Sequence, residues 1–433
     1  MERNIRIGLA GLGTIGIGVY KHLKGNRELL AKRLGFQLSV VKVAERDWDR
    51  TRPITVPENE RATDWRELVE DPSIPIVIEL MGGIAQPRKF ILAAIEAGKI
   101  VVTANKALLA EHGEEIFGAA TRKKVPIFYE AAVAGGIPII ESIQEGLVAN
   151  HIQSIHGIVN GTSNYILSRM TQEGIGFDQA LKAAQESGYA EADPSLDVNG
   201  WDAAHKAVIL ASLAYGFWVP CDQISVEGIE HITGEDIAFA ESTGHRIKLL
   251  AVIKASAGGD VEVGVHPTLV PKSHVLASVN GVFNAIAVRG DMVGDTLFYG
   301  RGAGQDPTAS AVISDLAEAG ICLESPRRFY GFTPHELYRN CKPADQIESE
   351  YYLRLHVEDE PGVLAKIAGA LAAQGVGISS VIQPEGKEGD WVPLMLMLHR
   401  ASNSRMKAAL ADIQKLTCVR NQPLLLRVEN FRD

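Results

Sequence analysis

Residues 184–206 read AQESGYAEADPSLDVNGWDAAHK, which gathers Glu186, Glu191, Asp193, Asp197, Asp202, His205 and Lys206 into one loop and the start of a helix. The run that follows, AVILASLA over 207–214, is apolar without alternation. A surface helix would alternate, so this one is expected to be buried beyond its first turn. Charged side chains at the mouth of a buried helix are costly unless they are paired or put to use. Asp202 and Lys206 stand four apart and share one helix face. An ammonium in a water-poor pocket has its pKa lowered from about 10.4 toward neutrality, which suits proton transfer. The bland alternative for this spacing is an exposed ion pair worth about 0.3–0.5 kcal/mol.

A second group of residues could hold a dinucleotide. Gly11, Gly13 and Gly16 spell G-x-G-x-x-G after the strand-like run 5–10 and at the opening of a helix over 15–24. In that context Gly11 permits the tight turn, Gly13 lets backbone approach a pyrophosphate, and Gly16 allows close helix–strand contact. The helix N-terminus adds positive potential. The second strand ends in VAERD, 43–47, where an acid would meet a ribose and a base would meet a 2′-phosphate. Both types are present, as Glu45 and Arg46, with Arg50 and Arg52 as possible helpers. Asn105 and Lys106 follow the strand in VVTANKALLAEHG, 101–113. Ligands of open α/β sheets sit at such strand ends.

These residues need a scaffold, and the chain predicts an α/β one. Over residues 1–138, buried-strand runs at 37–44, 76–80, 100–103 and 127–129 alternate with helical stretches such as 87–97 and 107–120. This predicts a Rossmann-type, doubly wound parallel sheet. From 139 to 300 helices at 139–147, 164–172, 177–187 and 201–215 mix with strands at 261–265 and 285–289, an α+β substrate domain. A helix at 308–319 suggests that 301–341 returns to the first domain. The polar stretch KPADQIESE, 342–350, reads as a linker. Residues 351–433 order as βαββαβ, a ferredoxin-like unit of its own.

Composition bounds the function. The 433 residues carry 43 Lys+Arg against 53 Asp+Glu, a net charge of −10. That argues against generic binding to nucleic acid or to an anionic membrane. Four cysteines lie scattered, at 221, 322, 341 and 418, without C-x-x-C spacing. This fits neither a zinc knuckle nor a disulfide framework and points to a reducing cytoplasm. No apolar run reaches the ~20 residues of a membrane span. A strand beginning near Asn4 leaves little room for a presequence.

The string at 184–206 resembles the signature of homoserine dehydrogenases: Gly-Tyr-Ala-Glu-x-Asp-Pro, then Asp197, Asn199, Gly200, Asp202 and Lys206. Further segments are similar to the same family: TANKALLA at 103–110, FYEAAVAGGIPII at 128–140, GIVNGTSNYIL at 157–167 and YGRGAGQDPTASAV at 299–312. In the last, Arg301 and Gln305 stand where Pro and Gly are common. Glu45 stands where an apolar residue is common. VEDEPGVLAKIAGAL at 357–371, with its βαββαβ order, is similar to an ACT domain.

The resemblance implies NAD(P)-dependent interconversion of L-homoserine and L-aspartate 4-semialdehyde. It implies Lys206 as proton donor, Asp202 orienting it, and Lys106 near the reacting oxygen. Glu191 would bind the substrate ammonium, with Asn160, Thr162 and Tyr189 beside it. Gly11, Gly13, Thr14, Ile15, Gly16, Thr103, Asn105, Lys106 and Gly302 would surround the cofactor, and Arg46 would meet the 2′-phosphate of NADP. Carbonyls of Glu130, Val133, Gly135 and Ile137 would hold a monovalent cation, usually sodium; a packing turn would look the same. Residues 139–300 would also serve dimerisation, giving a homodimer or homotetramer. The ACT part would bind an amino acid, expected to be L-threonine, at a loop with Asp359 and Gly362 at its ends, or serve only as a dimerisation module. Deleting the chain from about 346 onward is then expected to abolish feedback and spare catalysis. A dehydrogenase for another small aldehyde, or an inactive amino-acid sensor, are the rivals; intact glycines, Lys106 and Lys206 argue against the sensor.

Overall fold

The computed structural model describes residues 3–256, 258–324, 331–387 and 389–431. The chain divides into two compact units. The first comprises Met1–Gln153, His205–Cys221 and Val288–Arg339, and the second Ser154–Ala204, Asp222–Ala287 and Asn340–Asp433.

In the first unit, strands β1 (Asn4–Ala10), β2 (Gln37–Ala44), β3 (Arg61–Ala62), β4 (Ile76–Glu79), β5 (Ile100–Thr103) and β6 (Ile127–Phe128) form one sheet. Its order is β3-β2-β1-β4-β5-β6, and every pairing is parallel. The strands are short apolar runs because helices cover both faces. Ile7, Leu9, Val43, Ile76, Ile78 and Val102 are fully buried. The helix Thr14–Gly25 packs on the helix Gln305–Cys322, so the late segment lies in this unit. Strand order reverses between β1 and β4, the position where such sheets open a crevice for ligands.

The other strands are β7 (Ile152–Ile158), β8 (Ser225–Val226), β9 (His245–Ala255), β10 (Asp260–Pro271), β11 (Phe283–Gly290), β12 (Gly294–Arg301, a partner of β11), β13 (Asn340–Cys341), β14 (Glu348–Glu358), β15 (Ile378–Ile382), β16 (Trp391–Ser402) and β17 (Val419–Val428). In the second unit the neighbours run β11-β7-β9-β10-β17-β14-β16-β15, with β8 and β13 also on β10. The ferredoxin-like order is present: β14, helix Val363–Ala373, β15, β16, helix Asn403–Ile413, β17.

That part has a core of its own, around Leu353, Ile367, Leu396 and Met406, and its sheet runs on into the rest of the unit. β17 pairs in parallel with β10 (Thr268 with Arg427, Leu269 with Val428), which makes one continuous sheet. Asp236, 1% exposed, accepts from Arg354 Nε at 2.7 Å, Arg354 Nη2 at 3.1 Å and the Tyr352 hydroxyl at 2.8 Å. Contrary to the reading of the sequence, 342–350 is not a free linker. Asn340 and Cys341 pair with Asp260 and Val261, the Lys342 amide donates to the Val261 carbonyl, and β14 has begun by Glu348. β9 occupies one edge of β10 from Val261 to Pro271, and these segments satisfy backbone groups on the other edge. The expected helix over 139–147 is a single turn, Ile139–Glu141, followed by the wider π turn Ser142–Gly146. Among the described residues no helix is long and apolar enough to cross a membrane.

Candidate active site

The glycine turn after β1 is built by close approach. Gly11 has φ +99°, and a Cβ there would meet the Leu80 carbonyl oxygen at 2.4 Å. A Cβ on Gly16 would lie 2.2 Å from the Gly11 carbonyl oxygen. A Cβ on Gly13 would meet nothing within 4 Å, so this position faces open space. Gly13 caps the helix Thr14–Gly25 without a side chain, and the first turn carries no acid. Bare amides at an open helix start suit a pyrophosphate. The cradle opens into a cavity of about 710 Å³ lined by Gly11, Gly13, Glu45, Arg46, Arg50 and Arg66 among others. The donor set therefore fits a dinucleotide phosphate, with the loop at Gly11, Gly13, Thr14, Ile15 and Gly16 as its floor.

The acid and the base at the end of β2 are placed differently. Glu45 Oε2 accepts from the Leu12 amide at 3.0 Å and pairs with Arg52 Nη2 at 3.2 Å. Its Oε1 accepts from the Arg46 and Asp47 amides at 2.8 and 3.2 Å. Arg52 also donates to the Leu12 and Asp47 carbonyls. The carboxylate is thus engaged on both oxygens by the protein, while Arg46 stays exposed on the cavity wall.

At the end of β5 the side chains shape the loop. Thr103 Oγ1 donates to Glu79 Oε2 at 2.7 Å and accepts from the Asn105 amide at 3.1 Å. Asn105 caps the helix Lys106–Lys123 by accepting from the Leu108 amide, and its Nδ2 donates to the Gly83 carbonyl at 2.7 Å. Lys106 is the first helical residue and is half-buried. Glu79 escaped the sequence reading. It is fully buried, its pKa is raised by burial, and it also accepts from the Met81 amide. Its one sequence signal is an acid closing the apolar run IVIE.

The segment 130–137 turns back on itself through Ala134 (φ +52°) and Gly135 (φ +36°). A Cβ on Gly135 would lie 2.8 Å from the Gly302 carbonyl oxygen, and the Gly136 amide donates to the Arg301 carbonyl. Gly302 is buried there, and Gln305 of the same loop donates to the Thr14 carbonyl at 3.1 Å. The carbonyls of Glu130 and Ile137 each accept one backbone hydrogen bond, from Val133 and Ile139. A carbonyl has two lone pairs, so both remain able to ligate. The Glu130 carboxyl accepts from the Ile140 and Glu141 amides, and burial pushes its pKa up to about 7. Among the described residues no group of three or more His, Cys, Asp or Glu could hold a metal, so side chains offer no such site.

In the second unit, Asn160 gathers carboxylates. Its Oδ1 accepts from the Ser163 amide and caps the helix Gly161–Glu173. Its Nδ2 donates to Asp197 Oδ1 at 2.7 Å and to Asp202 Oδ2 at 2.8 Å. Thr162 Oγ1 donates to the Tyr189 carbonyl at 2.6 Å, and Tyr189 stacks at a tilt on Tyr165. Glu191 lies exposed in the same loop. Asp197, which sequence reasoning quoted but did not place in the site, is thereby joined to Asp202. Asp202 opens the helix Trp201–Tyr215 and is half-buried; Lys206, one turn on, is only 8% exposed. In the ACT part, Asp359 Oδ1 accepts from Gln383 Nε2 at 2.7 Å, and Gly362 (φ +90°) opens the helix Val363–Ala373.

Comparison with known proteins decides the family. Residues 11–130 match the family model described as homoserine dehydrogenase, NAD binding domain; 138–317 match homoserine dehydrogenase; 351–418 match the ACT domain. The homoserine dehydrogenase of Neisseria gonorrhoeae is 43% identical over 99% of both chains, and that of Pseudomonas aeruginosa 44% over 99% of both. The chain belongs to the homoserine dehydrogenase family. A crystal structure of a homoserine dehydrogenase from Thiobacillus denitrificans superposes with a TM-score of 0.92 at 42% identity, covering 99% of both chains. A hyperthermophilic archaeal homoserine dehydrogenase in complex with NADPH matches 75% of this chain and all of its own, with a TM-score of 0.63 and 26% identity. The enzyme is therefore an oxidoreductase acting on a CH–OH group, with an NAD(P)-binding domain and an ACT domain.

Proposed function

We propose that this homoserine dehydrogenase reduces L-aspartate 4-semialdehyde to L-homoserine with NADPH, in the route toward threonine, methionine and isoleucine. The observation that carries the reading is a lysine, Lys206, nearly out of water on a helix whose first turn holds the half-buried Asp202. The bound nicotinamide supplies the hydride. Lys206 gives the carbonyl oxygen its proton. Asp202, fixed by Asn160, keeps the ammonium oriented. Lys106 at the start of its helix offers a second positive group to the developing oxyanion. Glu191 takes the substrate ammonium, with Thr162 and Tyr189 closing the loop.

The engagement of Glu45 by Arg52 and three amides supports NADP over NAD, because it leaves the exposed Arg46 and Arg50, not that acid, to meet a ligand on that part of the cavity wall. Carbonyls of Glu130, Val133, Gly135 and Ile137 hold a monovalent cation, sodium by preference, whose hard charge suits oxygen ligands. The ACT part takes L-threonine at the loop between Asp359 and Gly362 and lowers activity. The enzyme works in the cytoplasm as a homodimer or homotetramer, with residues 1–138 plus 301–341 binding cofactor, 139–300 binding substrate and 351–433 regulating. One steady-state experiment tests the whole: aspartate semialdehyde reduction with NADPH and with NADH, with and without threonine and sodium. Preference for NADPH with inhibition by threonine is expected. Equal use of both nucleotides, or indifference to threonine, removes the corresponding element.

A further inference from the structure

The last strand of the ACT part carries Arg427, which is 7% exposed. Its Nη1 pairs with Glu227 Oε1 at 2.8 Å, and its Nη2 donates to Asn403 Oδ1 at 3.4 Å. Asn403 is in turn held by the Tyr351 hydroxyl and donates to the Ala344 carbonyl. A guanidinium does not lose its proton in a protein, so a buried one binds its carboxylate partner in place. Glu227 is fixed from its backbone as well. It follows β8, which pairs with β10 at Gly264 and Val265, and its amide donates to the Val265 carbonyl at 2.8 Å. β17 pairs with β10 only a few residues on, at Thr268 and Leu269. One rigid strand thus carries both ends of the ion pair.

The two residues after Glu227 press on the loop that carries the substrate-side acids. The Ile229 amide donates to the Val198 carbonyl at 2.8 Å. A Cβ on Gly228 would lie 2.4 Å from that same oxygen and 2.6 Å from the Asn199 Cα. A Cβ on Gly200, which has φ +89°, would lie 3.1 Å from the Glu227 carbonyl oxygen. Residues 198–200 lie in the four-residue bridge, 198–201, between Asp197 and Asp202, the two carboxylates that share the amide of Asn160. A displacement of Glu227 has no slack to be absorbed in, because backbone meets backbone on both sides.

We propose that Arg427 and Glu227 are positioning residues for the reaction: the ion pair fixes 227–229, and these hold 198–200 so that Asp197 and Asp202 meet Asn160. The ACT part thereby completes the substrate side of the enzyme even with no effector bound. The inference rests on the assignment of Asn160 and Asp202 to the substrate side.

The test uses the full-length enzyme. Glu227 is 43% exposed at its side chain, so Glu227→Gln should fold; Arg427→Met and Arg427→Lys are its companions, and Asn160→Ala is measured beside them. Expected for Glu227→Gln and Arg427→Met is a KM for aspartate semialdehyde raised about threefold to tenfold with a smaller fall in kcat, as for loss of an oriented contact. The NADPH Kd stays as in the parent, and the melting temperature falls in both, because each breaks the pair made by the buried Arg427 guanidinium. Arg427→Lys, which keeps the charge, restores most of the loss. Unchanged kinetics in Glu227→Gln overturns the proposal, as does a fall in melting temperature with KM and kcat untouched. If Asn160→Ala impairs turnover while Glu227→Gln does not, only the positioning role fails. If Asn160→Ala is silent, the substrate-side assignment fails and takes the positioning role with it.

Discussion

Removing the guanidinium of Arg46 should separate the two nicotinamide cofactors. Arg46 is exposed on the wall of the nucleotide cavity, and its own amide, not its side chain, bonds to Glu45. A hydrogen bond between charged groups contributes about 1.5–3 kcal/mol, and exposure places this one at the lower end. About 1.5 kcal/mol is roughly a tenfold change in Kd. Arg46→Ala is therefore expected to weaken NADPH about tenfold and to leave NADH nearly unchanged, read by nucleotide fluorescence titration at fixed ionic strength. Glu45→Gln supplies the control. If Glu45 bound a ribose, its loss would fall on NADH most. Here its oxygens hold the Leu12, Arg46 and Asp47 amides and face Arg52, whose side chain is 8% exposed. Its replacement loosens the floor under both nucleotides and should weaken them alike. Equal losses of NADPH and NADH in Arg46→Ala, or a loss confined to NADH in Glu45→Gln, would refute the reasoning.

Three further outcomes are expected. Lys206→Ala should lower turnover by about 10²–10⁴-fold, the usual worth of a placed general acid, while the NADPH Kd holds; near-normal turnover dismisses the assignment. Asp236→Ala strands the buried Arg354 and should cost about 3–5 kcal/mol in urea unfolding, and a loss under 1 kcal/mol would show that the pair is dispensable. Lys248 donates to the Asn164 and Asn280 side chains and to the Val279 carbonyl, and burial lowers its pKa from 10.5 to about 7. The unfolded chain then binds that proton more tightly than the native one, so stability should rise with pH from about 7 toward 10.5, by linkage. Lys248→Met should abolish the rise; an identical pH profile in both proteins would contradict it.

The parts of the site that depend on backbone approach were legible in the sequence. Glycine is the residue such approaches require, so Gly11 and Gly16 announced the turn whose clashes the structure shows. The apolar runs of the parallel sheet were readable for a related reason: strands covered on both faces leave no room for alternation. What stayed hidden were partnerships across sequence distance. Nothing in VAERD says that Glu45 is engaged by Arg52 and by the amide of Leu12. β9, HRIKLLAVIKA, is interrupted by Lys248, whose burial depends on oxygens supplied from Asn164 and from 279–280. The stretch 342–350 is polar and aperiodic, so it read as a linker, although its neighbours pair with β10. The sequence offers Ser163 and Asn164 as caps of the following helix, but the cap is Asn160, as Asn105 is for the helix Lys106–Lys123, and the second duty of each is set by tertiary contacts.

The continuity of the second sheet changes how regulation should be probed. An ACT part joined by a loose tether could be cut away without consequence. Here the cut at 346 would strip β17 from β10, leave the Thr268 and Leu269 backbone without that neighbour, and remove Arg354 and Tyr352 from the buried Asp236. An unpaired buried carboxylate is strongly destabilising, so loss of inhibition in such a truncation could not be told from partial unfolding. Substitution within the loop proposed to take the effector avoids this. Asp359 meets Gln383 at an exposed position, so Asp359→Ala leaves the seam intact. A pairing that binds sheet to sheet also gives a physical route for coupling, because a strand cannot shift on one neighbour without shifting on the other. A coupling of about 1–3 kcal/mol between effector and substrate needs no large motion when β17 and the support of the 198–200 loop share a single strand.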